Sequence, residues 1–453
     1  MNPRAILWLA LFVLLTFKAL GRSSWGIALY MLTFFALPAA WWWGQGLLTT
    51  ITDNWNLVGA LLLAVALFLD GQFRLPGPNE FARMPLFVLF AFALNATLVH
   101  FLFADSPQHS WTGVENLWKN LGLVFLMLAA IRDRYDFKVL LYSLSVGAAL
   151  VGWAVVFEGQ GSYVRGRLEN VSIACVAGSN AMGAFLSMLL PLGGYLLVCG
   201  NRVAKCVAAL SLILALEVVL RCESRGAFLG LAGGTVWFLV RARGPLRKYA
   251  VLGVLLAAVA VLYQVSKGQQ TLIVDRFRYG FASEDERDPS AQGRLDYWRQ
   301  GLKMLRDHPF GSGDEAAFKS DLGLSYIRSL GHDEYRSVHN GYLNVATSWG
   351  VQGLLLYVAA LLLAWRSLRA SNASARALGD QSAAFLGLCL EAGLVTQLIA
   401  VTFGGSLASE WVSWWIVMAV KHKCTLLAPA ETESSAGSCL EQPTAGTNTI
   451  QGA

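Results

Sequence analysis

Long apolar runs separated by short polar connections make up most of the chain. Their spacing predicts segments at about 5–20, 24–43, 54–69, 84–103, 117–131, 139–157, 172–198, 205–221, 226–240, 249–264, 341–364, 380–402 and 404–420. A hydrocarbon core about 30 Å thick is crossed by about 20 apolar residues in a helix, whereas barrel strands alternate over about ten. Unbroken runs therefore predict helices, which satisfy their backbone groups internally. The expected fold is all-α: a polytopic membrane bundle of about 12 to 13 transmembrane helices.

One long polar stretch interrupts this pattern and divides the chain into helices over 1–264, a large loop over 265–340, further helices over 341–423 and a tail over 424–453. Within the loop, Leu295, Trp298, Leu302 and Leu305 recur at spacings of three and four. That period predicts an amphipathic helix over 291–306, its tryptophan suited to the headgroup level. Asp307-His308-Pro309 ends it, because the residue before proline avoids helical geometry. The tail is poor in large apolar side chains and is expected to be disordered.

Short basic connections follow Ile131, Gly200, Val240, Trp365 and Val420, all on one side if the segments alternate. The positive-inside rule makes that side cytoplasmic and puts the large loop outside. Counting back from it places the amino terminus outside as well; twelve spans with both ends inside is the alternative.

Composition narrows the class further. The chain is 55% hydrophobic and 14% charged, which excludes a soluble protein and makes the lipid bilayer its surroundings. The net charge of +6 sits in short loops and reads as a topology signal, so no nucleic-acid partner is expected. Seven scattered cysteines imply neither a disulfide framework nor a metal site. The loop from 265 to 340 holds eleven Lys or Arg against twelve Asp or Glu, so an anion site there must come from a few placed arginines.

Candidate chemistry clusters at the outer ends of the segments. Arg225, in Glu223-Ser224-Arg225-Gly226, begins a span, where a charge either meets an anion or snorkels outward. Arg165 and Arg167 precede Asn180, a span-buried amide that either orients an arginine or ties two helices together. Arg276, Arg278 and Arg294 lie in the loop, and Arg294 stands out because an aromatic-rich helix follows it. Guanidiniums hold phosphate oxygens through paired hydrogen bonds. His339, beside Asn340 and Gly341 at the mouth of a span, has the chemistry to take a proton from a hydroxyl, and a structural role at a helix start is its alternative. His308 and His332 compete with it, and Asp105 and Glu410 are outward acids that would serve as other bases. No compact carboxylate-rich metal motif is present.

Ser224-Arg225-Gly226-Ala227, Gly293-Arg294 with Trp298 following, His308-Pro309-Phe310-Gly311-Ser312-Gly313, and His339-Asn340-Gly341-Tyr342-Leu343 running to Gly350-Val351-Gln352-Gly353-Leu354 resemble the O-antigen ligase and polymerase superfamily. That superfamily includes lipopolysaccharide ligases, repeat-unit polymerases and protein O-oligosaccharyltransferases. The resemblance extends over roughly 165–356. It implies a bacterial inner-membrane protein with one large periplasmic loop that transfers a glycan from an undecaprenyl-pyrophosphate donor without nucleotide, metal or other cofactor. It puts the family's catalytic residues at Arg225, Arg294 and His339, with Arg167 and Asn180 as a looser match. Arg276, Arg278 and Asn340 join Arg167 and Asn180 as expected substrate-binding residues. A lipid A core is the preferred acceptor. Polymerisation of repeat units, protein glycosylation and, in another class, transport of a lipid-linked sugar or a scaffold for polysaccharide export are the alternatives.

Overall fold

A computed structural model describes residues 2–71, 85–164, 166–171, 173, 176, 178–242, 247, 248, 251, 255, 259, 289–314, 316–331, 334–404 and 407–426. Arg165, Asp275, Arg276, Arg278, His332, most of the segment at 249–264 and the chain after 426 lie outside the described residues.

Polar caps at the ends of the apolar runs set where the helices begin. Helix α1 (Pro3–Gly21) opens on Asn2 with proline in its first turn, and α2 (Ser24–Phe35) follows. Helices α3 (Trp55–Leu69), α4 (Pro85–Phe103) and α5 (Pro107–Ala130) come next. Asp133 caps α6 (Arg134–Phe157), Asn201 caps α8 (Arg202–Cys222) and Ser224 caps α9 (Arg225–Arg241). Between α6 and α8 lie a short antiparallel hairpin, β1 (Ser162–Val164) with β2 (Arg167–Glu169), and α7 (Ser179–Cys199). The loop contributes α10 (Pro289–Asp307) and the short α11 (Asp321–Ile327). Asn340 caps α12 (Gly341–Ala377) and Asp380 caps α13 (Gln381–Ala400); α14 (Glu410–Lys421) ends the described bundle. Each side-chain oxygen here takes a backbone N–H that the first helical turn leaves without a partner.

Among the described residues, seven helices are long and apolar enough to cross a bilayer, with shorter apolar helices at Ser24–Ala40 and Trp55–Leu69. The chain is thus an all-α multi-pass membrane protein, apart from the small hairpin that the sequence pattern left as loop. Arg4 pairs with Glu158 at the end of α6 that leads into the hairpin. His422, just past α14, donates to or accepts from Ser371 and bonds the Ala383 carbonyl near the start of α13. The two ends of the described chain therefore sit at opposite ends of the bundle.

Three local features depart from the pattern. Helix α12 runs through a break at Gly350, whose φ is 79°. The backbone of 309–313 fills that break: Ser312 and Gly313 donate to the Thr347 and Ser348 carbonyls at 3.0 Å each, and Val351 donates to Pro309 at 3.0 Å. A Cβ on Gly311 would come within 2.5 Å of the Gly350 nitrogen. The His-Pro-Phe-Gly-Ser-Gly and Gly-Val-Gln-Gly motifs are thus two halves of one backbone latch.

The segment expected over 404–420 is helical only from 410, and its 12 residues span about 18 Å. The chain before it enters the bundle, with Leu407 fully buried. Glu410 is in consequence not an outward acid: it is buried and accepts the Tyr30 hydroxyl.

Helix α10 forms where its periodicity predicts, with a different buried face. Tyr297 and Met304 enter a small core with Phe318, Leu324, Ile327, Val338 and Leu343. Gly301 lies so close to Leu343 and Val338 that a Cβ there would meet Leu343 at 2.8 Å. Trp298 and Leu305 flank this core, while Leu302 is exposed. Tyr297, a polar-edged ring, and Gly301 carry no weight in an aliphatic count, which is why the stripe was displaced.

Candidate functional site

Helix ends, not helix middles, build the site. Asn180, in the first turn of α7, accepts Arg167 Nη2 at 2.7 Å and the Ser224 hydroxyl at 3.0 Å through the same Oδ1. Arg167 Nε also donates to the Cys222 carbonyl at 3.2 Å, at the end of α8. Ser224 in turn accepts the Ala227 N–H at 3.3 Å and so sets the first turn of α9, which begins with Arg225. Glu169 anchors the other side of β2 by taking both the N–H and the hydroxyl of Ser179, at 2.8 and 2.7 Å. One amide oxygen therefore ties the hairpin arginine to the helix that carries Arg225.

The turn after α13 closes this arrangement. Gly404, with φ of 145°, lies against Asn180, where an added Cβ would come within 3.1 Å of Nδ2. Gly226 lies against Phe403, where an added Cβ would meet the Phe403 Cβ at 2.8 Å. The Phe403 ring also faces Trp298, with centroids 6.3 Å apart, one helical turn beyond Arg294 on α10. Tyr342, in the first turn of α12, donates its hydroxyl to the Leu398 carbonyl at 2.8 Å. Phe403 and Gly404 are thus the point against which α7, α9 and α10 are set, and nothing in the sequence pattern distinguishes them from the rest of an apolar run.

His339 is pinned from both sides. Val338 is fully buried, and Asn340 Oδ1 accepts the Tyr342 and Leu343 N–H groups at 3.0 and 3.1 Å. Between them His339 adopts φ of 51°, a left-handed conformation that costs a residue with a Cβ about 1–3 kcal/mol. Its ring centroid is 6.4 Å from that of Tyr297 on α10. Burial, followed by the positive charges of Arg294, Arg167 and Arg336, pushes its pKa down to about 4. The imidazole is therefore neutral at ordinary pH, although only partly enclosed.

The structure accordingly brings His339, Arg294 and Arg167 into one electrostatic neighbourhood, with Asn180 bonded to Arg167 and Arg225 following the Ser224 that shares Asn180. Asn340 is present as the cap of α12. Arg336, overlooked in the sequence, belongs to the same field; its backbone N–H donates to Phe318 at 2.9 Å and its exposed guanidinium meets Glu334. Its position three residues before His339 was the available signal. Asp105 accepts the Leu322 N–H at 3.2 Å on the loop side. His308 sits in the latch turn, where Gly311 donates to its carbonyl at 3.1 Å. Among the described residues no group of three His, Cys, Asp or Glu side chains is assembled.

Residues 210–358 match the family model of the O-antigen ligase. That stretch contains Arg225, Arg294 and His339; Arg167 and Asn180 fall before it. No curated protein matches the chain. Over these residues the chain is similar to the O-antigen ligase family, which supports a general ligase- or polymerase-type function in polysaccharide biosynthesis.

Proposed function

We propose that the protein transfers a glycan from an undecaprenyl-pyrophosphate carrier to an acceptor hydroxyl on a lipid A core, at the periplasmic face of the inner membrane. The observation that carries this reading is a neutral, backbone-pinned imidazole in a field of arginines. An anion with several oxygens is the ligand such a field suits, and a pyrophosphate is both that ligand and a leaving group.

Arg225, Arg294 and Arg167 hold the pyrophosphate, with Arg276 and Arg278 assisting from the loop and Asn180 orienting Arg167. The acceptor oxygen attacks the sugar C1 as the bond from C1 to the phosphate oxygen breaks. His339 takes the hydroxyl proton, and the electron pair leaves on undecaprenyl pyrophosphate, whose developing charge the guanidiniums stabilise. Asn340 serves this step by fixing the backbone on which His339 sits.

The depressed pKa has a further consequence. A base at about 4 is weak, first because it is buried and then because three arginine charges act on it. A bound pyrophosphate offsets those charges and raises the basicity of His339, so the base becomes competent when the donor is in place. No nucleotide enters this scheme, because the pyrophosphate bond supplies the leaving group.

Reconstitution of the protein in liposomes with a lipid-linked glycan tests the reading. Product on a lipid A core is expected, and its loss in His339→Ala and Arg294→Ala. Product only on a second lipid-linked repeat would make the protein a polymerase, product only on a polypeptide a protein glycosyltransferase, and movement of donor across the bilayer without transfer a transporter.

A further inference from the structure

The feature least expected of a membrane bundle lies far from this site. Glu391, in the middle of α13, is fully buried, and the described structure surrounds it with groups from two other helices. Its two oxygens serve different partners. Oε2 accepts Trp237 Nε1 at 3.0 Å and faces Arg241 Nε at 3.8 Å, both on α9. Oε1 accepts Asn372 Nδ2 at 3.1 Å and faces Arg369 Nε at 3.8 Å, both on α12. A buried carboxylate is costly unless it is paired and hydrogen-bonded, and buried ion pairs are best attested as devices of register, not of stability.

These helices need such a device. Gly226, Gly230 and Gly234 recur every four residues along α9 and press against α13; a Cβ on Gly230 would come within 2.4 Å of the Thr396 carbonyl, and one on Gly234 within 2.7 Å of the Ala392 carbonyl. Such a seam permits close approach but supplies few knobs to oppose axial sliding, and a slide by one residue displaces a helix by about 1.5 Å. The outer ends of the same helices are the site: Arg225 begins α9, His339 precedes α12, and the Phe403–Gly404 turn follows α13.

We propose that Glu391 is a remote positioning residue that fixes the axial register of α9 and α12 against α13, and thereby the depth of Arg225 and His339. This rests on the transferase reading only for its effect on turnover. Misplacement of reacting groups by about 1 Å costs about a hundredfold in rate. Glutamine at 391 has one acceptor oxygen and one amide, so it serves one helix and turns a donor toward the donors of the other.

Hydrogen exchange of the full-length protein in nanodiscs, with steady-state transfer measured in parallel, tests this. For Glu391→Gln we expect kcat to fall at least tenfold with the donor KM within threefold. Peptides covering 222–230 or 339–344 should exchange faster, while those of α1 to α3 are unchanged. Arg241→Gln removes a contact on the α9 side alone, so it should speed exchange at 222–230 and leave 339–344 as in the wild type. Wild-type exchange at both outer ends in Glu391→Gln, or a uniform loss of protection that includes α1 to α3, would overturn the proposal. If Glu391→Gln fails to accumulate in the membrane, Arg241→Gln decides alone, and an unaltered 222–230 peptide refutes it. Should the wild type transfer nothing while the exchange pattern holds, the register device stands and the transferase reading falls.

Discussion

Two clusters of charge, one at each end of the bundle, are built differently. At the end away from the site, opposite charges are closed on one another: Arg22 Nε meets Asp136 at 2.6 Å and its Nη2 meets Asp133, while Arg132 reaches Asp70 at 3.0 Å and Asp136 at 3.6 Å. Arg134 and Asp380 add a looser pair at 3.9 Å. At the site end, Arg167 donates to an amide and a carbonyl, and the charges that act on His339 are all arginines. The first arrangement consumes its charge in tying α1, α3, α6 and α13 together. The second keeps a positive field at helix ends, next to a residue held in a strained backbone conformation. The first cluster contributes stability; the second, on the proposed function, gives up some stability to hold chemistry ready.

Substitutions at the two ends should separate along that line. The largest effect on turnover is expected from His339→Ala, a fall in kcat of about 10²–10⁴ as proton transfer to a placed base is lost. His339→Gly should lose as much activity yet leave thermal stability in detergent within about 1 kcal/mol of the wild type, because glycine accepts φ of 51° without strain. A coincident loss of stability would mean that the imidazole holds the fold together. Arg294→Ala should lower kcat by about 10²–10³ through lost charge stabilisation.

The pH profile gives a finer test. With a free-enzyme pKa of about 4, the acid limb of kcat/KM should lie well below the ordinary histidine value of about 6.5. If the proposed pyrophosphate donor offsets the arginines, the limb of kcat should lie higher, and Arg294→Gln should move the kcat/KM limb upward. The same shift carries a stability signature. The unfolded chain binds the His339 proton first as pH falls, so stability contributed by the neutral form declines between about 6.5 and about 4 and is flat below. That slope should vanish in His339→Gln.

Gly311→Ala tests the latch and not the chemistry, with an expected loss of about 2–4 kcal/mol, since the new Cβ would press on the Gly350 backbone at a φ of 94°. The smallest effect on turnover is expected at the far end. Arg22→Ala should lower stability by about 1–3 kcal/mol by leaving buried Asp136 with fewer partners, while kcat stays within twofold. A large kcat loss in Arg22→Ala would erase the division between the two ends.

Some of this was written into the linear pattern. Apolar runs placed most helices within a few residues, because a bilayer demands length and leaves the backbone no other partner. Capping residues such as Ser224 and Asn340 could be read as helix starts. The motifs at 224–227, Gly293-Arg294, 308–313 and 339–354 together were enough to indicate the resemblance that residues 210–358 match. What the linear pattern could not contain was anything set by distance across the bundle. Asn180 serving Arg167 and Ser224 at once, Glu410 turned inward to Tyr30, and α10 packed on Tyr297 and Gly301 depend on which helix ends meet. The depressed pKa of His339 belongs to the same class, since a residue's type fixes its ordinary pKa and only burial in the fold, followed by the company of Arg294, Arg167 and Arg336, displaces it. Lipid thickness acts on each segment separately and so is legible one segment at a time; packing and electrostatics act between segments, and only the folded bundle brings them together.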